Sequence, residues 1–151
     1  FGIGDWASIA NQPSGHMSKV YHVSIQDREA ILTALSRELA ECDDVAFAYA
    51  YGSFVQQDQF RDIDVAVWTG SDTPRRTGTT LATELSRMTN YPVDVRVINQ
   101  APVACLFHVL RGRVLAVRDE RFLADLIERV ARTYHDRAPL VRRAMREAFA
   151  P

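Results

Sequence analysis

From Gln26 to Cys42 the apolar residues Ile31, Leu32, Leu35 and Leu39 recur at helical spacing, and Asp27 and Glu29 suit a first helical turn. Asp43-Asp44 breaks that pattern. Val45 to Tyr51 then alternates, with Phe47, Tyr49 and Tyr51 on one side and Ala46, Ala48 and Ala50 on the other, which predicts a strand with a large and a small face. A small face lets a helix pack closely. Ser53 to Gln59 reads as a short helix or turn, and Ile63 to Trp68 as a second strand with Ile63, Val65 and Val67 on one face. Thr69 to Pro74 is a loop by composition, and Arg75 to Thr89 a helix with Leu81, Leu85 and Met88 on one side. Asn90-Tyr91-Pro92 is a turn into a third strand, Val93 to Ile98. Pro102 suits the start of a helix over Ala101 to Leu110 that stops at Gly112. Val114 to Val117 is a short strand, and Phe122 to Phe149 a long C-terminal helical region, bent or broken near Ala138-Pro139. This order predicts an α/β (α+β) sandwich: a small mixed β-sheet with helices mainly on one face.

At 151 residues the chain is long enough for one domain with a real core and too short for two. Phe1 to Gly15 has no signal-peptide pattern, and Gly15-His16-Met17 resembles a cloning junction. Residues 1–16 are therefore expected to be a linker or a vector-derived segment, and residues 17–151 the single domain. Hydrophobic residues make up 47% and charged residues 25%, ordinary for a soluble globular protein, and no apolar run approaches the length of a membrane span. The net charge of −1 gives no overall attraction for nucleic acid, and direct nucleic-acid binding is not expected. The last third is richer in arginine, from Arg111 to Arg146, a solvated helix face in the simplest reading and a basic partner surface in the other. Cys42 and Cys105 lack metal-ligand spacing and read as buried small hydrophobes in a reducing, cytoplasmic setting.

The chemistry concentrates between Tyr49 and Trp68, YAYGSFVQQDQFRDIDVAVW. Asp62 and Asp64 stand two apart at the start of a strand, so both point to one face, where their like charges repel unless a cation binds between them. Gly52-Ser53 ends the preceding strand and opens a helical turn, whose free N–H groups suit a phosphate. Asp94 lies inside the otherwise apolar VDVRVI, and pairing of that strand beside Ile63–Trp68 would bring it to the same rim. Two carboxylates for Mg²⁺ facing a turn for a triphosphate point to metal-dependent nucleotidyl transfer. On this reading Asp62 and Asp64 hold the metal, and Asp94 is a base on the incoming hydroxyl or support for a second metal. In the bland alternative Asp62 is a turn residue and Asp94 a partly exposed strand residue.

Gly52, Ser53, an eight-residue spacer, then Asp62 and Asp64 entering a strand resemble the signature of the minimal nucleotidyltransferase family, small relatives of DNA polymerase β. VDVRVINQAP and FHVLRGRVLAVRDERF are also similar to that family, and the likeness runs from about residue 26 to 149. The resemblance implies a polymerase β-like nucleotidyltransferase fold and Mg²⁺-dependent transfer of AMP from ATP to a hydroxyl. Gly52 and Ser53 would hold the triphosphate, and Asp62, Asp64 and Asp94 the metals. It also implies an antitoxin that adenylylates and neutralises a HEPN-domain RNase toxin, in a possible hetero-oligomer. The chain departs from the pattern in three ways, one being that Arg61 and not a serine precedes the first aspartate. The spacer is shorter than in many antitoxin members, and FVQQDQF lacks the Arg-Gly-like pair that many relatives carry beside the triphosphate. Arg61 is either a substitute cation or an ion-pair partner of Asp62. The alternatives are a non-catalytic antitoxin that occludes its toxin and a small-molecule, antibiotic-type nucleotidyltransferase.

Other residues carry less. His108, within CLFHVL, reads as a core or edge histidine, and Tyr134 as a structural tyrosine before a self-modification site. Arg129 and His135 match the loose spacing of HEPN RNases, a spacing common by chance. Trp6 and Trp68 form no stacking platform. Phe122, Leu126, Val130, Leu140 and Met145 are expected to be shared between core packing and a partner surface.

Overall fold

A computed structural model describes residues 19–70 and 78–136 of the chain. The expectations for residues 1–16, for most of the loop at 71–74, for the start of the second long helix, and for the helical region beyond 136 with its bend lie outside the described residues.

The elements follow the hydrophobic pattern closely. They are β1 (Tyr21–His22), α1 (Ile25–Ala40), β2 (Val45–Tyr51), α2 (Ser53–Gln56), β3 (Gln59–Phe60), β4 (Ile63–Thr69), α3 (Gly78–Thr89), β5 (Val93–Val97), α4 (Val103–Leu110), β6 (Arg113–Val117) and α5 (Glu120–Asp136). Ser24 starts α1 by accepting a hydrogen bond from the Asp27 amide at 3.0 Å, a cap worth about 1 kcal/mol. Asp119 does the same for α5, accepting from the Phe122 amide at 3.0 Å.

The main sheet has the order β5-β4-β2-β6, with β4 and β5 parallel and the other two pairs antiparallel. The mixed sheet and the α/β class agree with the sequence pattern. The expectation of helices mainly on one face is corrected, because they divide over both. Leu32, Leu35 and Leu39 of α1 and Leu81 and Leu85 of α3 pack with Ala48, Ala50, Ile63, Val65, Val67 and Val95. Leu106 and Val109 of α4 and Leu123, Leu126 and Val130 of α5 pack with Phe47, Tyr49, Tyr51 and Ala66. Alternation along β2 is the physical reason. Its small side admits α1, while its three aromatic rings are too large to leave in water and bury beneath α4 and α5.

Two features not expected from the sequence brace this frame. The two-residue strands β1 and β3 pair antiparallel, Tyr21 with Phe60. Beyond the end of β5, the Asn99 side chain accepts from the Thr69 amide at 2.9 Å and donates to the Thr69 carbonyl at 2.8 Å. Together with the bond from the Ile98 amide to the Val67 carbonyl, this locks the far ends of β4 and β5 and so fixes their register. Among the described residues no helix is long and apolar enough to cross a membrane.

Candidate active site

β2 runs out at Tyr51, and the chain turns at Gly52 with φ +80° and ψ −156°, a region essentially restricted to glycine. The turn leads directly into α2, where the Gly52 carbonyl accepts from the Val55 and Gln56 amides. Ser53 is the first residue of this short helix, and the first amides of a helix lack intrahelical partners. Glycine is needed here for a second reason: a Cβ at position 52 would lie 2.6 Å from Asp64 Oδ2. The Gly-Ser turn and the second aspartate, twelve positions apart in sequence, are therefore in van der Waals contact.

The spacer between them is held from below by rings. Phe54 and Phe60 meet edge-on at 4.8 Å, and Tyr91 packs against Phe60 at 5.4 Å and edge-on against Tyr21 at 5.1 Å. Arg28 of α1 adds a clamp: its guanidinium lies 5.6 Å from the Phe54 ring centroid and donates to the Gln57 carbonyl at 2.8 Å. The Ile63 amide donates to the Pro92 carbonyl at 2.8 Å, which aligns the starts of β4 and β5 just beyond Asp62.

Register does the rest. Asp64 pairs with Tyr51 across the antiparallel ladder and with Asp94 across the parallel one. Paired residues on neighbouring strands share a face, so Asp64 and Asp94 stand about 5 Å apart at the backbone, with Asp62 one strand repeat away. The expectation that β5 runs beside β4 and brings Asp94 to the rim agrees with this arrangement. The charges feel one another. Burial, reinforced by the negative charge of Asp94, raises the Asp62 pKa above the usual carboxylate value, with Arg96 and Arg61 opposing. Asp64 is raised well above it, first by burial and then by Asp62 and Asp94, with Arg96 opposing. Tyr51 is buried beneath them, and its phenol is pushed far up by burial and by the Asp64 charge.

The three carboxylates share this rim without closing into a metal cage: among the described residues no three His, Cys, Asp or Glu side chains form a ready-made cluster. Asp94 instead turns to Arg96, two residues along the same face of β5, at 2.7 Å. Arg96 is the residue the sequence reading passed over, although strand alternation puts positions 94 and 96 on one face. The chemistry of the donor set fits a hard divalent cation, since carboxylates that repel one another gain from an oxygen-liganded Mg²⁺, and the missing Cβ at Gly52 lets the Asp64 carboxylate lie against the turn.

The remaining candidates settle into the frame. Arg61 is exposed, and its charge lowers the Asp62 pKa. His108 sits half-buried and edge-on to Tyr51 at 5.8 Å, and its pKa is lowered by burial and by Arg111. Tyr134 stacks flat on Phe107 at 3.9 Å, a packing role. Trp68 packs against Phe47 and Phe122. Arg129 and His135 are exposed on α5. Cys42 and Cys105 are buried thiols that form no disulfide, and the Cys42 thiol points to the Glu38 carbonyl.

The molecule has clear structural likenesses. A chain in a toxin–antitoxin structure with AMP-PNP superimposes with a TM-score of 0.53 at 22% identity, covering 78% of this chain and 98% of the other. A mutant of the toxin–antitoxin pair MntA-HpeT gives 0.54 at 22% identity, covering 78% and 97%. The structure of a tri-AMPylated Shewanella oneidensis HEPN toxin in complex with an MNT antitoxin gives 0.50 at 20% identity, covering 80% and 97%. At these identities the likeness is one of fold. No curated protein matches the chain. The sequence profile described as Polymerase beta, Nucleotidyltransferase matches residues 34–121, a span that holds Gly52, Ser53, Asp62, Asp64 and Asp94. By that match, over more than half its length, the chain belongs to the polymerase beta nucleotidyltransferase family.

Proposed function

We propose that this protein transfers AMP from ATP to a hydroxyl group of a partner protein, and that the partner is a HEPN-domain toxin which the transfer neutralises. The observation that carries the reading is the meeting of Gly52 with Asp64, which sets a turn suited to a phosphate against the acidic starts of β4 and β5. The family supports the reaction class. The partner and the nucleotide are supported by the structurally similar complexes, one with AMP-PNP and one with an AMPylated toxin. ATP as substrate and two cysteines outside any disulfide suit a cytoplasmic setting.

On this reading Asp62 and Asp64 hold Mg²⁺, with Asp94 as the third carboxylate. When bound, the metal supplies charge neutralisation at the phosphate oxygens. The Ser53 hydroxyl and the first amides of α2 bind the β- and γ-phosphates, and the fixed Gly52 turn keeps those donors aimed without reorganisation. Asp94, at the open side of the sheet edge, takes the proton of the acceptor hydroxyl. The acceptor oxygen bonds to the α-phosphorus, the bond from that phosphorus to the bridging oxygen breaks, and pyrophosphate leaves. Positioning and electrostatics provide the rate, because no protein group forms a covalent intermediate.

Steric occlusion of the toxin is the second reading. FVQQDQF supplies no cation beside the triphosphate, and Arg28 is committed to the Gln57 carbonyl and the Phe54 ring. Incubation with MgATP and the candidate toxin, read by intact mass, separates the two. Transfer adds one or more AMP units to the toxin and is lost in Asp62→Ala/Asp64→Ala. A tight complex with no mass gain overturns catalysis and leaves occlusion.

A further inference from the structure

We propose that Arg96 is a resident counter-ion of the carboxylate rim, which holds Asp94 while the site is empty of metal and passes to the nucleotide's phosphates once metal takes its place. The inference rests on the site reading above and goes beyond it by giving a role to a residue outside the family signature. Three observations carry it. Arg96 Nη2 lies 2.7 Å from Asp94 Oδ2, both side chains are only about a third exposed, and they stand on one face of β5. The residue paired with Arg96 across the parallel ladder is Ala66, so Arg96 stands one strand repeat from the Asp64–Asp94 pair, and its charge reaches both Asp62 and Asp64. Of the other cations near the turn, Arg28 bonds the Gln57 carbonyl and lies over Phe54, and Arg61 is exposed and acts on Asp62, whereas Arg96 acts on both Asp62 and Asp64.

The physical argument is competition. A guanidinium and a divalent cation cannot both take the same carboxylate oxygens at full strength, so the ion pair lowers metal affinity in the empty protein. Once metal neutralises the aspartates, the freed guanidinium faces a triphosphate, a planar fork matched to phosphate oxygens. A cation from β5 would then do what FVQQDQF does not. The predicted signature is a change of opposite sign in two affinities, which a merely structural role would not produce.

The experiment is titration calorimetry on wild type and Arg96→Gln, first with Mn²⁺ alone and then with AMP-PNP at saturating Mn²⁺. The expected result is Mn²⁺ binding about tenfold tighter in R96Q and AMP-PNP binding about tenfold weaker. In an Asp94→Asn background the substitution should leave Mn²⁺ affinity unchanged. Wild type that binds Mn²⁺ while R96Q binds it equally or more weakly overturns the counter-ion role and leaves the site reading standing. Unchanged AMP-PNP affinity overturns the passage to phosphate. Wild type that binds neither ligand overturns the site reading and this inference together. Circular dichroism reports folding, and Arg96→Met, which keeps the alkyl stem, replaces R96Q if that variant does not fold.

Discussion

Adding one methyl group at position 52 probes the contact on which the site depends. In Gly52→Ala the new Cβ falls 2.6 Å from Asp64 Oδ2, and the backbone must keep φ +80° and ψ −156°. That backbone region costs a residue with a side chain about 1–3 kcal/mol. Alanine also restricts the unfolded chain, which offsets about 0.4–1 kcal/mol. The contact is relieved only if the Asp64 carboxylate swings away, because Asp64 Cγ at 3.6 Å is already at an ordinary distance. The net expectation is a loss of about 2 kcal/mol, which lowers a urea midpoint by about 1 M at the slopes usual for small proteins. Displacement of Asp64 should weaken Mn²⁺ and AMP-PNP binding beyond what the stability loss explains. Asp64→Ala serves as the control, since it removes the carboxylate and leaves Asp64 Cβ at 3.8 Å. In that background the strain persists and the clash is gone, so the cost of Gly52→Ala should fall by about 1 kcal/mol, measured as a double-mutant cycle. The reasoning is refuted if Gly52→Ala lies within about 0.5 kcal/mol of wild type, or if it costs the same in both backgrounds and nucleotide binding is intact.

Asp64 makes the metal-free protein sensitive to pH. Its folded pKa is raised by burial and by Asp62 and Asp94, so the folded state binds more protons than the unfolded state between the two pKa values. Stability in EDTA should therefore fall as pH rises from the unfolded carboxylate value through the folded one, and then level off. Asp64→Asn should flatten that slope, gain about 1 kcal/mol at pH 7 and lack the stabilisation by Mg²⁺ expected of wild type, all read by urea melts. Arg28→Ala removes the bond to the Gln57 carbonyl and the contact over Phe54, and should cost about 1–2 kcal/mol in the same assay. It should also loosen α2, seen as faster amide exchange at Val55 and Gln56, and unchanged exchange there would refute the clamp.

What the sequence made legible, and what it hid, divides by range. β2, β4 and β5 were readable because alternation over five to seven residues has one physical solution, a strand with two unlike faces. The turn at Gly52 was readable because it ends one alternating run, and the meeting of Asp64 with Asp94 was readable because β5 was expected beside β4. β1 and β3 were hidden: two residues show no period, and only the pairing of Tyr21 with Phe60 creates them. Arg28 was hidden because its partner Gln57 lies on another element, brought near by packing of α1. The coverage of the sheet's second face was misjudged for a related reason. Three aromatic rings along β2 require cover, but nothing local says that α4 and α5 provide it.

Arg96 belongs to neither class, and it shows where sequence reasoning reaches its limit at this site. Alternation alone puts it beside Asp94 on one face, so its place was available from VDVRV. Its partner was not, since an arginine two residues from an aspartate can turn to that carboxylate, to a neighbouring strand or to a ligand. Burial decides between them. The negative charge of Asp94 helps to raise the pKa values of Asp62 and Asp64, and the positive charge of Arg96 opposes both shifts. The same closeness that makes the rim suitable for a divalent cation therefore makes it hold an internal cation in the meantime. A carboxylate site assembled by strand register relieves its repulsion by taking up a proton or by holding a cation, and in this chain Arg96 is the cation that register supplies.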